Sequence, residues 1–508
     1  MRRNKRLSAL VVSMLVASLA AVMPVAQADS PACDNRNNNT VTKLLECVTV
    51  EGVREHQEAL QAIADANGDT RASGTPGYDE SVDYVVETMT AAGYEVTVDP
   101  FEFGFFEVTA PPVFEQISPD ATDYVDQTDF DVMTFSGSGD VTATVEGVDL
   151  VLPPGPVNSS TSGCEPEDFT TFTSGNIALM QRGTCNFVVK VANAEAAGAI
   201  AAIVFNEGQP GREALNFGTL GAPGVNIPAI TTSHAVGLDL NDPAGTVVHL
   251  DVQTISELRQ TANVLAETPG GKADNVVMAG AHLDSVPEGP GIQDNGSGSA
   301  ALLEIAEQMR KVNPENKLRF AWWGAEEFGL LGSIDWVVRQ ANSGELDNVA
   351  LYLNFDMIGS PNFVRFVYDG STQPPGSDVI EDMFGAFFDS QALPYELVEV
   401  GGRSDHFAFA AFGVPIGGLF TGAEVIKTPQ QEAIYGGTAG EQFDPCYHLA
   451  CDTFANVSLE ALGQMTDAAA FAILAYSMNT ESVNGVSGKG NFKQQNHLIP
   501  LDKLDPAV

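Results

Sequence analysis

Basic residues are scarce in this sequence. The 508 residues include 24 lysines and arginines against 67 aspartates and glutamates, which gives a formal net charge of −43. A chain with this balance repels a phosphate backbone, so we expect no nucleic-acid partner. The acidic excess agrees better with a solvated surface that keeps the protein in solution.

Long apolar runs are missing beyond the N-terminus. Residues 1–28 start with MRRNKR, continue with the apolar run LSALVVSMLVASLAAVMPV and end in AQA. This order is typical of a secretory signal cleaved after Ala28, and a retained membrane anchor is the alternative. The segment has four basic and no acidic residues, so cleavage changes the net charge from −43 to −47. We expect a secreted protein, extracellular or periplasmic, that has no membrane contact after cleavage and is a monomer.

Cysteines are few, and none has the spacing of zinc-finger ligands. Six cysteines behind a secretory signal indicate three disulfide bonds, although six residues allow many connectivities. They fall into three pairs that are close in sequence. We therefore predict the bonds Cys33–Cys47, Cys164–Cys185 and Cys446–Cys451.

Helical and extended patterns alternate through most of the chain. From residue 258 onward, apolar strands such as NVVMAGAHLD and VALYLNFDMIG alternate with helices, which predicts an α/β fold with a mixed, mostly parallel sheet flanked by helices. Short valine-rich strands with proline, serine and threonine dominate between residues 112 and 257. The prediction is one α/β domain over 29–111 and 258–479, interrupted by a mostly β insertion at 112–257. Residues 480–508 form a polar tail.

Acidic residues and histidines follow the ends of successive apolar strands. Ligands bind outside the carboxyl ends of strands in open α/β sheets. A single aspartate in such a place is usually a turn or cap residue, and a single histidine is usually structural. Four successive strand–helix segments that end this way, in a chain with seven histidines, indicate ligand supply. The residues are His282, Asp284, Asp294, Glu326, Glu327, Asp356 and, further on, His448.

Two imidazoles and several carboxylates, without clustered thiolates, suit Zn²⁺ or a similar divalent cation. Two cations need a shared ligand, and the carboxylate of Asp294 can bridge. We predict that one cation takes His282 and Asp356 and that the other takes His448 and Glu327. Each keeps an open position for water.

Two further acidic residues receive roles from their positions. Asp284 lies two residues after His282 and is predicted to orient its imidazole. Glu326 precedes a predicted ligand and points elsewhere, so we expect it to take a proton from the activated water and pass it to the leaving amine.

Several motifs together resemble those of the co-catalytic zinc aminopeptidases, most closely the secreted bacterial leucine-type enzymes. They are AHLDS, GIQDNGSGSAALLE, WWGAEEFGLLGS, NFDMIGSPN, GRSDHFAF, GVPIGGLFTGAE and DPCYHLACDT. The resemblance spans about residues 40–110 and 258–478. It implies two zinc ions per chain, the same ligands and base, and substrates with a free N-terminus. It also implies that Tyr447 stabilises the oxyanion and that the Arg403 segment, with Glu326 and Asp356, holds the amino end.

The insertion resembles a protease-associated domain through GNIALMQRGTCNFVVKVANAEAAGAIAAIVFN. The resemblance implies control of access and protein contacts for this segment. The compact leucine-type enzymes lack it.

Alternatives to an aminopeptidase remain. A carboxypeptidase of the same fold needs a basic pocket, and basic residues near the motifs are few. A catalytically silent binding protein would have lost metal ligands or the base. In this sequence the five predicted ligands and the predicted base, Glu326, are all present. An ammonium group is favoured beside Glu326 and Asp356, which points to the N-terminus of the substrate.

The segment GVPIGGLFTGAE suggests which residue is released. Gly418 leaves space beside the apolar Leu419 and Phe420, so we predict a roomy pocket for leucine or another large apolar side chain. A buried strand without contact to substrate is the alternative.

Overall fold

The structure is a computed structural model that describes residue 33 and residues 35–488. The predicted signal segment and most of the predicted tail lie outside these residues. Within them, no helix is long and apolar enough to cross a membrane. The six cysteines form the bonds Cys33–Cys47, Cys164–Cys185 and Cys446–Cys451, which is the pairing that the sequence predicts.

Helices and strands alternate along most of the chain. The helices are α1 (Val41–Leu45), α2 (Val50–Ala66), α3 (Pro76–Ala92), α4 (Phe187–Ala196), α5 (His234–Asn241), α6 (Gly296–Met309), α7 (Leu331–Ser343), α8 (Ser377–Ser390), α9 (His406–Ala411), α10 (Pro429–Tyr435), α11 (Leu459–Met478) and α12 (Glu481–Asn484), with 3-10 turns at Pro166–Phe169 and Glu345–Asn348. The strands are β1 (Glu95–Val108), β2 (Val113–Ser118), β3 (Thr122–Asp123), β4 (Phe130–Val132), β5 (Gly139–Gly147), β6 (Ile177–Gln181), β7 (Ala201–Phe205), β8 (Ala229–Thr232), β9 (Val247–Val252), β10 (Thr254–Glu267), β11 (Lys272–His282), β12 (Asn316–Trp323), β13 (Val349–Phe355), β14 (Phe366–Tyr368), β15 (Glu396–Val398) and β16 (Ile416–Phe420).

Local sequence signals explain where the helices begin and end. The hydroxyl of Thr75 accepts a hydrogen bond from the N–H of Tyr78 at the start of α3, and Pro76 occupies the first turn. Gly93 ends the same helix with φ +91°, a left-handed conformation that favours glycine.

The main sheet has eight strands in the order β1-β10-β12-β11-β13-β16-β14-β15. Its central strands β12, β11, β13 and β16 run parallel, whereas β1 and β10 are antiparallel at one side. Helices cover both faces: α6 and α11 pack on one side and α7 and α9 on the other. All residues of β13 are buried, as expected for a parallel strand between two helical layers. The mixed α/β fold is confirmed.

A second eight-stranded sheet has the order β3-β2-β9-β5-β6-β7-β8-β4. Its strands all come from the chain between Val113 and Val252, and α4 and α5 pack against it. It has hydrophobic clusters of its own, so it is stabilised by its own core.

A paired ribbon connects the two sheets. Strands β1 and β10 are antiparallel over their full length, and Val108 lies opposite Thr254 at the far end. The N–H of Thr109 donates to the carbonyl of Gln253 at 2.8 Å. The chain therefore leaves the main sheet and returns to it at adjacent points.

Candidate metal centre

The carboxyl ends of three parallel strands bring the predicted ligands together. Strand β11 ends at His282, which lies in register with Trp323 at the end of β12. The turn after β12 contains Glu326 and Glu327, and Asp356 directly follows β13. All these side chains therefore lie at one edge of the main sheet, where a parallel fold places its ligands.

Asp294 lies at the centre of this group, just before α6. Its Oδ1 is 3.2 Å from His282 Nε2, which is itself 3.3 Å from Asp356 Oδ1. Its Oδ2 is 3.3 Å from His448 Nε2, which is 3.1 Å from Glu327 Oε2. Each oxygen of Asp294 thus faces a different pair of one imidazole and one carboxylate.

The two glutamates after β12 have different surroundings. Glu326 Oε2 is 3.9 Å from His282 Nε2, and its side chain is 8% exposed. Glu327 faces His448, and its Oε1 is buried without a hydrogen-bond partner in the described part of the chain. A buried carboxylate oxygen without a partner is costly, which indicates a ligand at this position.

The electrostatics of the cluster attract positive charge. Burial opposes a charge on His282, but the carboxylates of Glu326 and Asp356 outweigh it and hold the pKa of His282 well above its usual value. Burial likewise opposes the charged form of Asp294, yet hydrogen bonds to both histidines lower its pKa. Burial and the neighbouring Asp294 raise the pKa of Glu327 to about 7. Divalent cations would supply the charge that this cluster favours.

Asp284 supports the site differently from the prediction. The Nδ1 of His282 lies 3.0 Å from the main-chain carbonyl of Asp284 and 3.7 Å from its carboxylate. The carboxylate instead accepts from the N–H groups of Glu326 at 3.2 Å and Glu327 at 3.4 Å. The carbonyl therefore orients the imidazole, while the side chain fixes the turn that contains both glutamates.

Two residues that the sequence reasoning missed hold the Asp294 loop. The carboxylate of Asp452 accepts from the N–H groups of Gln293 and Asp294, both at 2.9 Å. The buried guanidinium of Arg71 donates to three carbonyls of the same loop, those of Leu283, Pro290 and Gly291. Asp452 lies within the motif DPCYHLACDT, but Arg71 is 212 residues from Leu283 and no motif points to it.

Arg403 lies at the mouth of the site, where it binds other protein groups. Its guanidinium donates to Glu424 at 2.8 Å and to the hydroxyl of Tyr447 at 3.2 Å. The segment around Arg403 lines the space beside Glu326 and Asp356, so its role in holding the amino end stays a prediction. The contact with Tyr447 places the tyrosine hydroxyl beside the cluster.

An apolar cavity of about 230 Å³ opens beside the cluster. Of the three residues predicted to line the specificity pocket, the structure places one in this cavity. Phe420 lines the cavity, but Leu419 packs into the hydrophobic core on the other face of the sheet. A Cβ atom on Gly418 would lie 2.3 Å from the carbonyl of Asn354 and 2.9 Å from the Tyr368 ring, so that space is filled. The prediction that Gly418 and Leu419 line the pocket is wrong.

Residues from other segments form most of this apolar wall. They are Met357, Tyr368, Val398, Val400 and Val425. They come from the loop after β13, from β14, from the segment that begins at β15 and from the loop after β16, none of which has a recognisable pocket motif. Only the tertiary fold brings them together.

The donor set fits a pair of divalent cations. Imidazole nitrogens and carboxylate oxygens without thiolates suit zinc, and an aspartate with both oxygens directed at separate donor pairs can bridge. His282, Asp356 and Asp294 could hold one cation, and His448, Glu327 and Asp294 the other.

Known proteins share both parts of this chain. The model of peptidase family M28 matches residues 263–473, and the PA domain model matches residues 146–240. The chain is 43% identical to an aminopeptidase of Pseudomonas aeruginosa over 515 residues, which cover 98% of this chain and 96% of that protein. It is 39% identical to leucine aminopeptidase 2 of Trichophyton rubrum over 455 residues, with coverage of 87% and 88%.

Solved structures share the fold. The aminopeptidase from Aneurinibacillus sp. strain AM-1 superimposes with a TM-score of 0.62 at 23% identity and covers 87% of this chain and 96% of its own. A zinc aminopeptidase from Bacillus subtilis gives a TM-score of 0.55 at 24% identity, with coverage of 84% and 94%.

Proposed function

Because the chain belongs to peptidase family M28, we propose that the cluster around Asp294 binds two zinc ions and removes large apolar residues, such as leucine, from the N-terminus of peptides. The protein is a metallo-aminopeptidase. The single observation that supports a zinc pair best is the placement of Asp294, whose two carboxylate oxygens face different histidine–carboxylate pairs.

The chemistry divides between the ligands and the residues beside them. Zinc bound by these residues supplies Lewis acidity, which polarises a carbonyl and lowers the pKa of water. Glu326 lies at the edge of the cluster, and burial raises the pKa of its carboxyl group. It can take a proton from the attacking water and donate it to the leaving amine.

Tyr447 is proposed to stabilise the oxyanion. Its ring stacks on the imidazole of His448, with 3.8 Å between the ring centroids. The guanidinium of Arg403 fixes the hydroxyl from the other side. A phenol held beside the reacting carbonyl can donate a hydrogen bond to the negative charge that develops there.

The charge around the cavity supports cleavage at the N-terminus. Glu326 and Asp356 line it beside the predicted ligands, and they favour an ammonium group over a carboxylate. A carboxypeptidase would need a free cation there. Among the described residues that line this cavity, Arg403 is the only lysine or arginine. Its guanidinium already faces the carboxylate of Glu424. This favours the aminopeptidase over the carboxypeptidase alternative.

The location and the domain boundaries are also proposals. We infer secretion from the leader-like segment 1–28 and from the three disulfide bonds, which form in oxidising compartments. We propose that a monomer acts on peptides and proteins with a free N-terminus. The aminopeptidase domain would cover 29–111 and 258–479, with the PA domain inserted at 112–257.

Metal analysis of two variants tests the zinc pair. We expect about two zinc ions in each wild-type chain, none in Asp294→Asn, and an unchanged content in Asp274→Asn, an exposed control. Leucyl anilide should be hydrolysed by the wild type, and chelation or N-acetylation of the substrate should abolish this. Full activity with one zinc ion, or cleavage of N-acetylated peptides from their carboxyl end, would contradict the proposal.

A further inference from the structure

Two cavities meet at the candidate metal centre. The apolar cavity of about 230 Å³ includes Glu327 and His448 in its lining. A second cavity of about 600 Å³ also includes Glu327 and His448, and it lies between the main sheet and the inserted segment. The two cavities therefore share the same pair of predicted ligands, one cavity on each side.

The second cavity has one wall from each part of the molecule. Phe106 and Glu107 of β1 and the segment 286–288 belong to the main sheet and its loops. Asp126 and Asp131 belong to the inserted segment. A cavity of this size is large enough for a peptide segment or a similar ligand.

The charged side chains in the lining of this cavity are acidic, apart from the imidazole of His448. Glu107, Asp126, Asp131 and Glu288 line it, and none of the described lysines or arginines does so. None of these four carboxylates has an ion pair or a side-chain hydrogen bond within residues 35–488. Burial, together with the nearby Asp126, raises the pKa of Asp131 to about 6. Unpaired carboxylates that repel each other favour a cationic ligand.

The second cavity adjoins the candidate metal centre. Glu327 lines the cavity with a side chain that is 5% exposed, and its Oε1 is buried without a partner among the described residues. The acidic walls are thus continuous with an unsatisfied group of the candidate centre.

We propose that the second cavity holds the part of the peptide that leaves, and that its acidic lining selects substrates with lysine or arginine shortly after the cleaved bond. This inference rests on the proposed aminopeptidase function. When the N-terminal residue occupies the apolar cavity, the chain beyond the scissile bond extends to the other side of the shared ligands. At about 3.3 Å per residue, the second residue after the bond reaches the cleft between the two parts of the molecule.

A pair of matched peptides tests the selectivity. Leucine release is measured from Leu-Ala-Lys-Ala amide and from Leu-Ala-Glu-Ala amide, with leucyl anilide as a substrate that lacks the extended part. We expect kcat/KM to be about 5-fold higher for the lysine peptide, since a partly exposed charge pair contributes up to about 1 kcal/mol. The ratio should fall toward one at high salt.

Variants test whether the second cavity causes the preference for the lysine peptide. In Asp126→Asn with Asp131→Asn, the ratio should fall clearly below the wild-type value, since only Glu107 and Glu288 remain of the four carboxylates. The exposed control Asp120→Asn should keep the wild-type ratio. The double variant should melt at or above the wild-type temperature, because neutralisation removes repulsion between the two side chains.

Each outcome can be separated from failure of the proposed function. If leucyl anilide is hydrolysed but both peptides react equally in the wild type, the acidic cleft has no role in selection and the inference is overturned. An unchanged ratio in the double variant overturns it as well. No leucine release from any substrate would overturn both this inference and the aminopeptidase itself.

Discussion

Glu326 is the residue for which the geometry makes the sharpest claim. It lies beside His282, it is nearly buried, and it is not one of the proposed ligands. Glu326→Gln keeps the shape of the side chain and removes its ability to take a proton. We expect zinc content and melting temperature to remain near those of the wild type, while kcat falls by about 10²–10⁴-fold.

The control is Glu55→Gln on the exposed side of α2, which should leave kcat unchanged. Steady-state kinetics on leucyl anilide with metal analysis of the same sample separates loss of the base from loss of metal. An unimpaired kcat in Glu326→Gln would remove this residue from the mechanism.

Single residues also show what the sequence can and cannot predict. His282, Asp294 and Glu327 follow strand ends, so their convergence is a consequence of parallel topology. Arg71 and Asp452 act by binding backbone groups, and any residue has such groups, so no residue pattern identifies their partners. Leu419 was misplaced because alternate residues of a strand face opposite sides and the sequence did not fix which side faced the site.

At the scale of elements, the short loop around His448 depends on the Cys446–Cys451 bond. His448 has φ +57°, a left-handed conformation that is costly for a residue other than glycine. The bond spans a sequence separation of 5 and includes Tyr447 and His448. It constrains both side chains while closing little chain, so it contributes less to stability than the ~3 kcal/mol of a 15-residue loop.

We therefore expect Cys446→Ser with Cys451→Ser to lower kcat/KM strongly and the melting temperature only slightly. The matched control is Cys164→Ser with Cys185→Ser, whose bond spans a separation of 21 and lies away from the cluster. That pair should affect melting of the inserted segment more than activity. The reverse pattern, with activity retained in the first variant, would contradict a positioning role for the short loop.

The order of elements was easier to predict than the surfaces between them. Apolar runs in the sequence marked β11, β12 and β13 and their alternation with helices. The walls of both cavities could not be derived this way, because their residues come from segments far apart in sequence. The acidic cleft exists only where the two sheets approach each other.

At the scale of the whole molecule, the ribbon of β1 and β10 predicts that the inserted segment can be removed. Val108 and Thr254 lie opposite each other, so residues 109–253 begin and end at one place. Replacing them with an Asn-Gly turn closes the ribbon as a hairpin. We expect a folded protein that retains about two zinc ions and cleaves leucyl anilide but has lost the preference for the lysine peptide.

Circular dichroism, metal analysis and the matched peptides check this outcome. As a control, the same turn replaces only the loop between Pro153 and Ser159, within the inserted segment and outside the acidic cleft. That variant should keep the preference for lysine. A deletion protein that keeps the same preference would show that the inserted segment does not form the selective wall.

The same ribbon determines the order in which the molecule can assemble during synthesis. Strand β1 emerges from the ribosome long before β10, and all strands of the second sheet emerge in between. The second sheet can therefore complete its own core while β1 still lacks a partner. Once it has folded, it brings Val108 and Thr254 together, and the entropy of closing that long loop has already been spent. The folded inserted segment therefore holds the ends of β1 and β10 together and sets the register in which these two strands pair.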